Sequence, residues 1–167
     1  MTVVVADTSP LNYLVLIGRI DILHSLYGRV VVPLEVLAEL AAGGAPPEVL
    51  KWTQSLPEWL EVRTVREDQD DSALKHIDPG ERAAILLAEE EHDALLLIDD
   101  AAGRAEAIQR GIPNTGTLGV LRAAAIREIL DLSAALTDLA ATNFRVSQAL
   151  IKSLLAEDSE RGRSENS

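Results

Sequence analysis

Residues 3–14 read VVVADTSPLNYL. Small and branched apolar residues run into a carboxylate, Asp7, and the chain then turns through Thr8, Ser9 and Pro10. The apolar run predicts a buried strand over residues 3–6. Pro10 predicts a helix start beside it, because the N–H that proline lacks would have no partner in a first helical turn. Leu11, Leu14, Val15 and Ile17 give that helix an apolar face. The same arrangement recurs at residues 93–100, DALLLIDD, where Asp99 and Asp100 close the clearest buried strand of the chain.

Strand and helix signals alternate through the rest. DILHSLYG is a short helical stretch closing at Gly28, and RVVVP (29–33) predicts a second strand whose proline opens a helix through Leu40. AAGGAPPE breaks the chain before a helix over about 47–56. EWLEVRTV (58–65), of mixed polarity, predicts an edge strand, and the polar, acidic run REDQDDSALKHID (66–78) predicts a long surface loop. Helical signals return in DPGERAAILLAEEE and over 101–110, and IPNTGT predicts a short last strand. Helices are expected near 117–130, 134–142 and 147–157, with Ser133 and Ser147 as N-caps and residues 158–167 as a frayed tail. Strands separated by helices of this length predict an α/β fold with a mostly parallel sheet, in one domain over residues 1–157. Such sheets place their sites beyond the carboxyl ends of the strands, where these acids lie.

Composition narrows the chemistry. With no cysteine, the chain has no disulfide, no thiolate zinc site and no thiol nucleophile. No basic, apolar leader is visible and the apolar runs are too short for a bilayer, so a soluble cytoplasmic protein without membrane contact is expected. A net charge of −12 argues against sequence-blind attachment to nucleic acid through basic patches. It leaves room for a nucleic-acid enzyme whose acidic pocket holds metal ions.

Taken singly, each acid has a local explanation. Asp7 and Asp100 stand where N-caps stand, and Asp78 with Glu81 resembles a capping box. Glu39 sits on a helix face with Glu35 one turn before it. Taken together they point elsewhere. Asp7 and Asp99 end separate strands, and the helices of Glu39 and Glu81 start near the same sheet edge. Carboxylates gathered there repel or protonate unless a cation joins them, and oxygen-only donors suit Mg²⁺ or Mn²⁺. His24, His76 and His92 show no metal-ligand spacing, and no glycine motif that cradles phosphate is present. A carboxylate-bound divalent ion suits phosphodiester hydrolysis best.

The segments VVADTSPLNYL, VVVPLEVLAEL, DPGERAAILLA, LLLIDDAAGR and TGTLGVLRAA, in that order, resemble the PIN-domain family, including VapC-type toxin ribonucleases. They cover most of residues 3–130 and are closest to the branch with G-E-R/A and I-D-D/E-x-x-x-R motifs. The resemblance implies a PIN-like three-layer fold, a mostly parallel central sheet flanked by helices, with extra C-terminal helices over 134–157. It also implies an acid cluster binding Mg²⁺ or Mn²⁺. By position Asp7 matches the first acid, Glu39 the second and Glu81 the third, where many relatives carry Asp; Asp78 is the weaker candidate. The fourth acid matches Asp99 or Asp100. Asp7, Glu39, Glu81 and Asp99 are thus the implied catalytic ligands, with Asp100 close by. Thr8, Ser9, Asn12 and Arg104 are supporting residues, Arg104 through phosphate or through Asp100.

The function expected on this basis is a metal-dependent endoribonuclease, the toxin of a type II toxin–antitoxin pair. Its expected partners are an RNA substrate, a protein antitoxin and a second copy of itself in a homodimer. The alternative is a non-catalytic PIN-like scaffold that binds RNA or protein. A phosphoryl-transfer domain of the receiver or haloacid dehalogenase type fits poorly. Ser9 stands where the latter needs an Asp, and the receiver's paired acids and late lysine are missing.

Overall fold

The computed structural model describes residues 2–66 and 72–165. Its sheet has five strands, β1 (Val3–Ala6), β2 (Val30–Pro33), β3 (Leu60–Arg63), β4 (Ala94–Leu97) and β5 (Asn114–Thr115), in the order β3-β2-β1-β4-β5. Every pairing is parallel, with Val4 opposite Val30 and Leu95, and Ala6 opposite Leu97. The mixed-polarity strand β3 lies at an edge, as its pattern predicts.

The helices follow the sequence signals. They are α1 (Thr8–Leu16), α2 (Ile22–Tyr27), α3 (Leu34–Leu40), α4 (Pro47–Thr53), α5 (Pro79–Glu90), α6 (Ala101–Gln109), α7 (Thr117–Ile126), α8 (Leu132–Ala140) and α9 (Gln148–Glu165). Successive strand residues face opposite layers because the pleat has a period of two. Val4, Ala6, Val30, Val32 and Leu97 pack with Leu11, Leu14, Leu121 and Leu136 on one side. Val5, Val31, Leu96 and Ile98 pack with Ala84, Ile85 and Ala107 on the other. The outcome is an α/β arrangement of three layers, as the resemblance implies.

Several local expectations differ from the structure. Within residues 66–78 the described part is anchored rather than loose: Leu74 and Ile77 are buried, and Arg82 donates to the carbonyls of Leu74, Lys75 and Ile77. Residues 67–71 of that predicted loop lie outside the described residues. Helix α7 stops at Ile126 instead of 130, and the chain bends at Glu128, whose φ of 57° is left-handed. Asp131, not Ser133, caps α8 by accepting from Ala134 N. Ser147 does cap α9, its hydroxyl accepting from Leu150 N. Helix α9 runs on to Glu165 rather than fraying after 157, because Arg161 bridges Glu157 and Asp158 one turn back. Among the described residues no helix is long and apolar enough to cross a membrane.

Candidate active site

In a parallel sheet the natural crevice lies where neighbouring strands send their connections to opposite sides. Here that point falls between β1 and β4: β2 and β3 extend one flank, β5 the other. Asp7 leaves β1 and Asp99 leaves β4 at this point, and Asp7 N donates to Leu97 O at 2.9 Å. A cleft of about 260 Å³ opens there, lined by Asp7, Thr8, Ser9, Asn12, Tyr13, Glu39 and Glu81. Of the sequence-derived candidates, Asp7, Thr8, Ser9, Asn12, Glu39 and Glu81 share this cleft, whereas Asp99 and Arg104 line a neighbouring groove and Asp100 turns to the start of α6.

Asp7 is the least comfortable of them. It is only 2% exposed, and its Oδ1 is buried with no hydrogen-bond partner among the described residues. It precedes α1 but does not cap it, so the local explanation of this acid fails. Burial pushes its carboxyl up to about 7; the Thr8 backbone N–H works against this, while the charges of Glu39, Asp99 and Asp100 add to it. Glu81 is pushed up to about 8 by burial and by the charges of Asp7, Asp100, Asp78 and Glu39. No capping bond joins Asp78 to α5, so the capping-box explanation of Glu81 fails as well.

The other acids are held by the protein. Glu39 Oε2 accepts from Thr8 Oγ1 at 2.7 Å, and Glu39 Oε1 accepts from Gly80 N at 3.0 Å. That pair of bonds ties α3 to the starts of α1 and α5. Asp99 accepts from Thr117 through both oxygens, from N at 2.7 Å and from Oγ1 at 2.6 Å. Asp100 Oδ2 accepts from Gly103 N, the N-cap that the sequence predicts for α6. Arg104 does not pair with Asp100; its Nε donates to Asn114 Oδ1.

The acids influence one another electrostatically, yet among the described residues no three His, Cys, Asp or Glu side chains form a ready ion-binding group. Like charges repel, and Glu39, Asp99 and Asp100 each have a hydrogen-bond donor within reach.

Thr117, Gly80 and Tyr13 hold or line the candidate site, and sequence reasoning missed them. A threonine after glycine at a helix start looks ordinary, yet Thr117 is fully buried and bonded only through the fold to Asp99. A side chain at Gly80 would collide with the Glu39 carboxylate. Tyr13 lines the cleft, and burial together with the Asp99 charge raises its phenol above the usual range. Thr117→Val keeps the volume but strips one charged hydrogen bond from Asp99. It is expected to lower stability by about 1.5–3 kcal/mol in urea denaturation. An unchanged midpoint would show that this bond holds nothing in place.

A family model described as a PIN domain matches residues 3–160. The chain belongs to the PIN-domain family. No curated protein and no solved structure matches it. The PIN match takes in α8 and most of α9, so the helices expected to lie beyond the family core fall inside its span. PIN domains are nuclease-like, and the cleft at the β1/β4 switch point holds Asp7, Glu39 and Glu81.

Proposed function

We propose that this PIN domain is a metal-dependent endoribonuclease, the toxin of a type II toxin–antitoxin pair, with the cleft around Asp7 as its active site. The observation that carries the reading is the buried, unpartnered Oδ1 of Asp7 among Glu39, Glu81, Asp99 and Asp100. Leaving a carboxylate oxygen buried without a donor costs free energy, and a cation is the partner that turns the cost into binding. The donors are all carboxylate oxygens, which fits Mg²⁺ or Mn²⁺. Asp7, Glu39, Glu81 and Asp99 would hold the ion directly or through water, with Asp100 close by. A divalent ion there supplies Lewis acidity and a water of lowered pKa.

The chain's own residues do the rest. Thr8 and Gly80 fix Glu39, and Thr117 fixes Asp99, so two carboxylates are oriented before any ligand arrives. Burial pushes the carboxyls of Asp7 and Glu81 up toward neutral pH, so a cation held there would displace protons from them. The toxin role rests on the resemblance of the motifs to VapC-type ribonucleases. An antitoxin encoded beside this chain that silences its cleavage on co-purification would support that role; full cleavage in the complex would remove it.

Gly80→Ala tests the orientation of Glu39. The new methyl displaces the flexible end of a glutamate rather than backbone, so folding should be little changed. RNA cleavage is expected to fall about tenfold. Equal cleavage and equal thermal midpoint would show that Glu39 need not stand where it does.

A second reading, a scaffold that binds without cutting, draws on one observation: every oxygen of Glu39 and Asp99 already has a protein donor. The cleavage measurement that closes the Discussion separates the two.

A further inference from the structure

On the far side of Asp99 from the acid cleft lies a second groove, of about 370 Å³. We infer that this groove seats the single-stranded RNA next to the scissile bond, with Arg104 and Arg145 on its phosphates and a base against Leu118, Phe144 and Leu150. The inference rests on the nuclease reading for its direction and adds the place of the substrate strand.

Charge supplies the first argument. In a chain of net charge −12, arginines are drawn to carboxylates: Arg19, Arg63, Arg110, Arg122 and Arg161 each hold at least one. Arg104 and Arg145 form no ion pair among the described residues, and both line this groove. Arg104 comes from α6, and Arg145 from the turn between α8 and α9. Two guanidinium groups outweigh the single Asp99 carboxylate in this groove and attract an anion that carries more than one charge.

Continuity with the acid cleft is the second argument. Asp99 lines the groove, and its charge reaches Asp7 and Tyr13 in the cleft. Tyr13, a wall of the cleft, packs edge-on against Phe144, a wall of the groove, with ring centroids 4.9 Å apart. The Tyr13 hydroxyl also donates to Asn143 Oδ1 at 2.9 Å, which fastens the α8–α9 turn to the cleft. Gly116 and Gly119 lie between these walls, and a side chain at Gly116 would meet the Asp99 carboxylate.

The third argument is the apolar wall. Leu150 is 44% exposed and Phe144 is half-buried, the chemistry that holds an unstacked base. A duplex keeps its bases stacked and offers no such face.

The test uses full-length protein carrying Asp7→Asn, so that binding is read without cleavage. The ligand is a fluorescein-labelled, unstructured RNA of about ten nucleotides, followed by anisotropy across a salt series. Arg104→Gln and Arg145→Gln are each expected to weaken binding about fivefold and to reduce the slope of log K against log salt by about 0.7. Arg29→Gln, at the amino end of β2, removes the same charge elsewhere and should leave both quantities unchanged. With Asp7 restored, Arg145→Gln should raise KM and keep kcat. Affinity and slope equal to the parent's in both groove variants, or no RNA binding by the parent, would overturn the inference and leave the groove to a protein ligand. Arginine-dependent binding by a protein that cuts nothing keeps the groove and removes the nuclease reading. Cleavage with unchanged KM in both variants does the reverse.

Discussion

In EDTA Asp7 is expected to take about 4 kcal/mol from the stability of the folded chain as the pH rises from about 4 to about 7.5, and Asp7→Asn to remove that contribution. Asp7 is buried with one oxygen unpartnered, and its carboxyl is pushed up from 3.8 to about 7. In the unfolded chain the same carboxyl is in water and releases its proton near 3.8. Below that value both states hold the proton, and the native site contributes its full stability. Between 3.8 and about 7 the folded state keeps a proton that the unfolded state has released, so rising pH favours unfolding. Above about 7 the loss is complete. Glu81, pushed up to about 8, acts with the same sign and extends the decline to slightly higher pH.

Asparagine keeps the shape of Asp7 and carries no charge to bury. Urea denaturation of the two proteins at matched pH isolates the effect, because titrations they share cancel in the difference. The variant should gain steadily on the parent as the pH rises and be no more stable near pH 4. Parallel stability curves over the whole range would mean that Asp7 is not held as the structure shows.

Much of the arrangement was legible in the sequence because it is written locally. A buried strand, an acid and a helix start occur side by side at Asp7 and again at Asp99, and a parallel sheet brings strand ends together. Glu39 and Glu81 could be named only from the joint pattern and the resemblance, since each alone looks like an ordinary helix residue. What holds these acids was not legible. The bond from Gly80 to Glu39 spans 41 residues and that from Thr117 to Asp99 spans 18, and no local pattern encodes either.

The same limit explains the errors in the elements. Beyond Leu155 the sequence shows no apolar stripe, so α9 looks finished, yet ion pairs around Arg161 carry it to Glu165. Leu74 and Ile77 are isolated in a polar run, but both reach the core between the sheet and α5. The division of the acids between two neighbouring clefts was not legible for a different reason. Shared electrostatics can be inferred from strand ends, whereas the hydrogen bond each oxygen prefers depends on side-chain geometry.

The larger effect belongs to chemistry. If Asp7 is the carboxylate around which the site is built, Asp7→Asn should lower RNA cleavage by about 10²–10⁴-fold while leaving a folded and, near neutral pH, more stable protein. That combination is diagnostic, because ordinary damage lowers activity and stability together. Asp7 differs from the rest of the core in being buried at a cost, and such costs are retained where a site needs them. The most direct measurement is cleavage of labelled single-stranded and hairpin RNA by the parent and by Asp7→Asn, each with Mn²⁺, with Mg²⁺ and with EDTA. Cutting by the parent with a metal ion, stopped by EDTA and lost in the variant, is the predicted result. Cutting that persists in EDTA or survives in Asp7→Asn, or a parent that cuts neither RNA with either ion, would contradict the account.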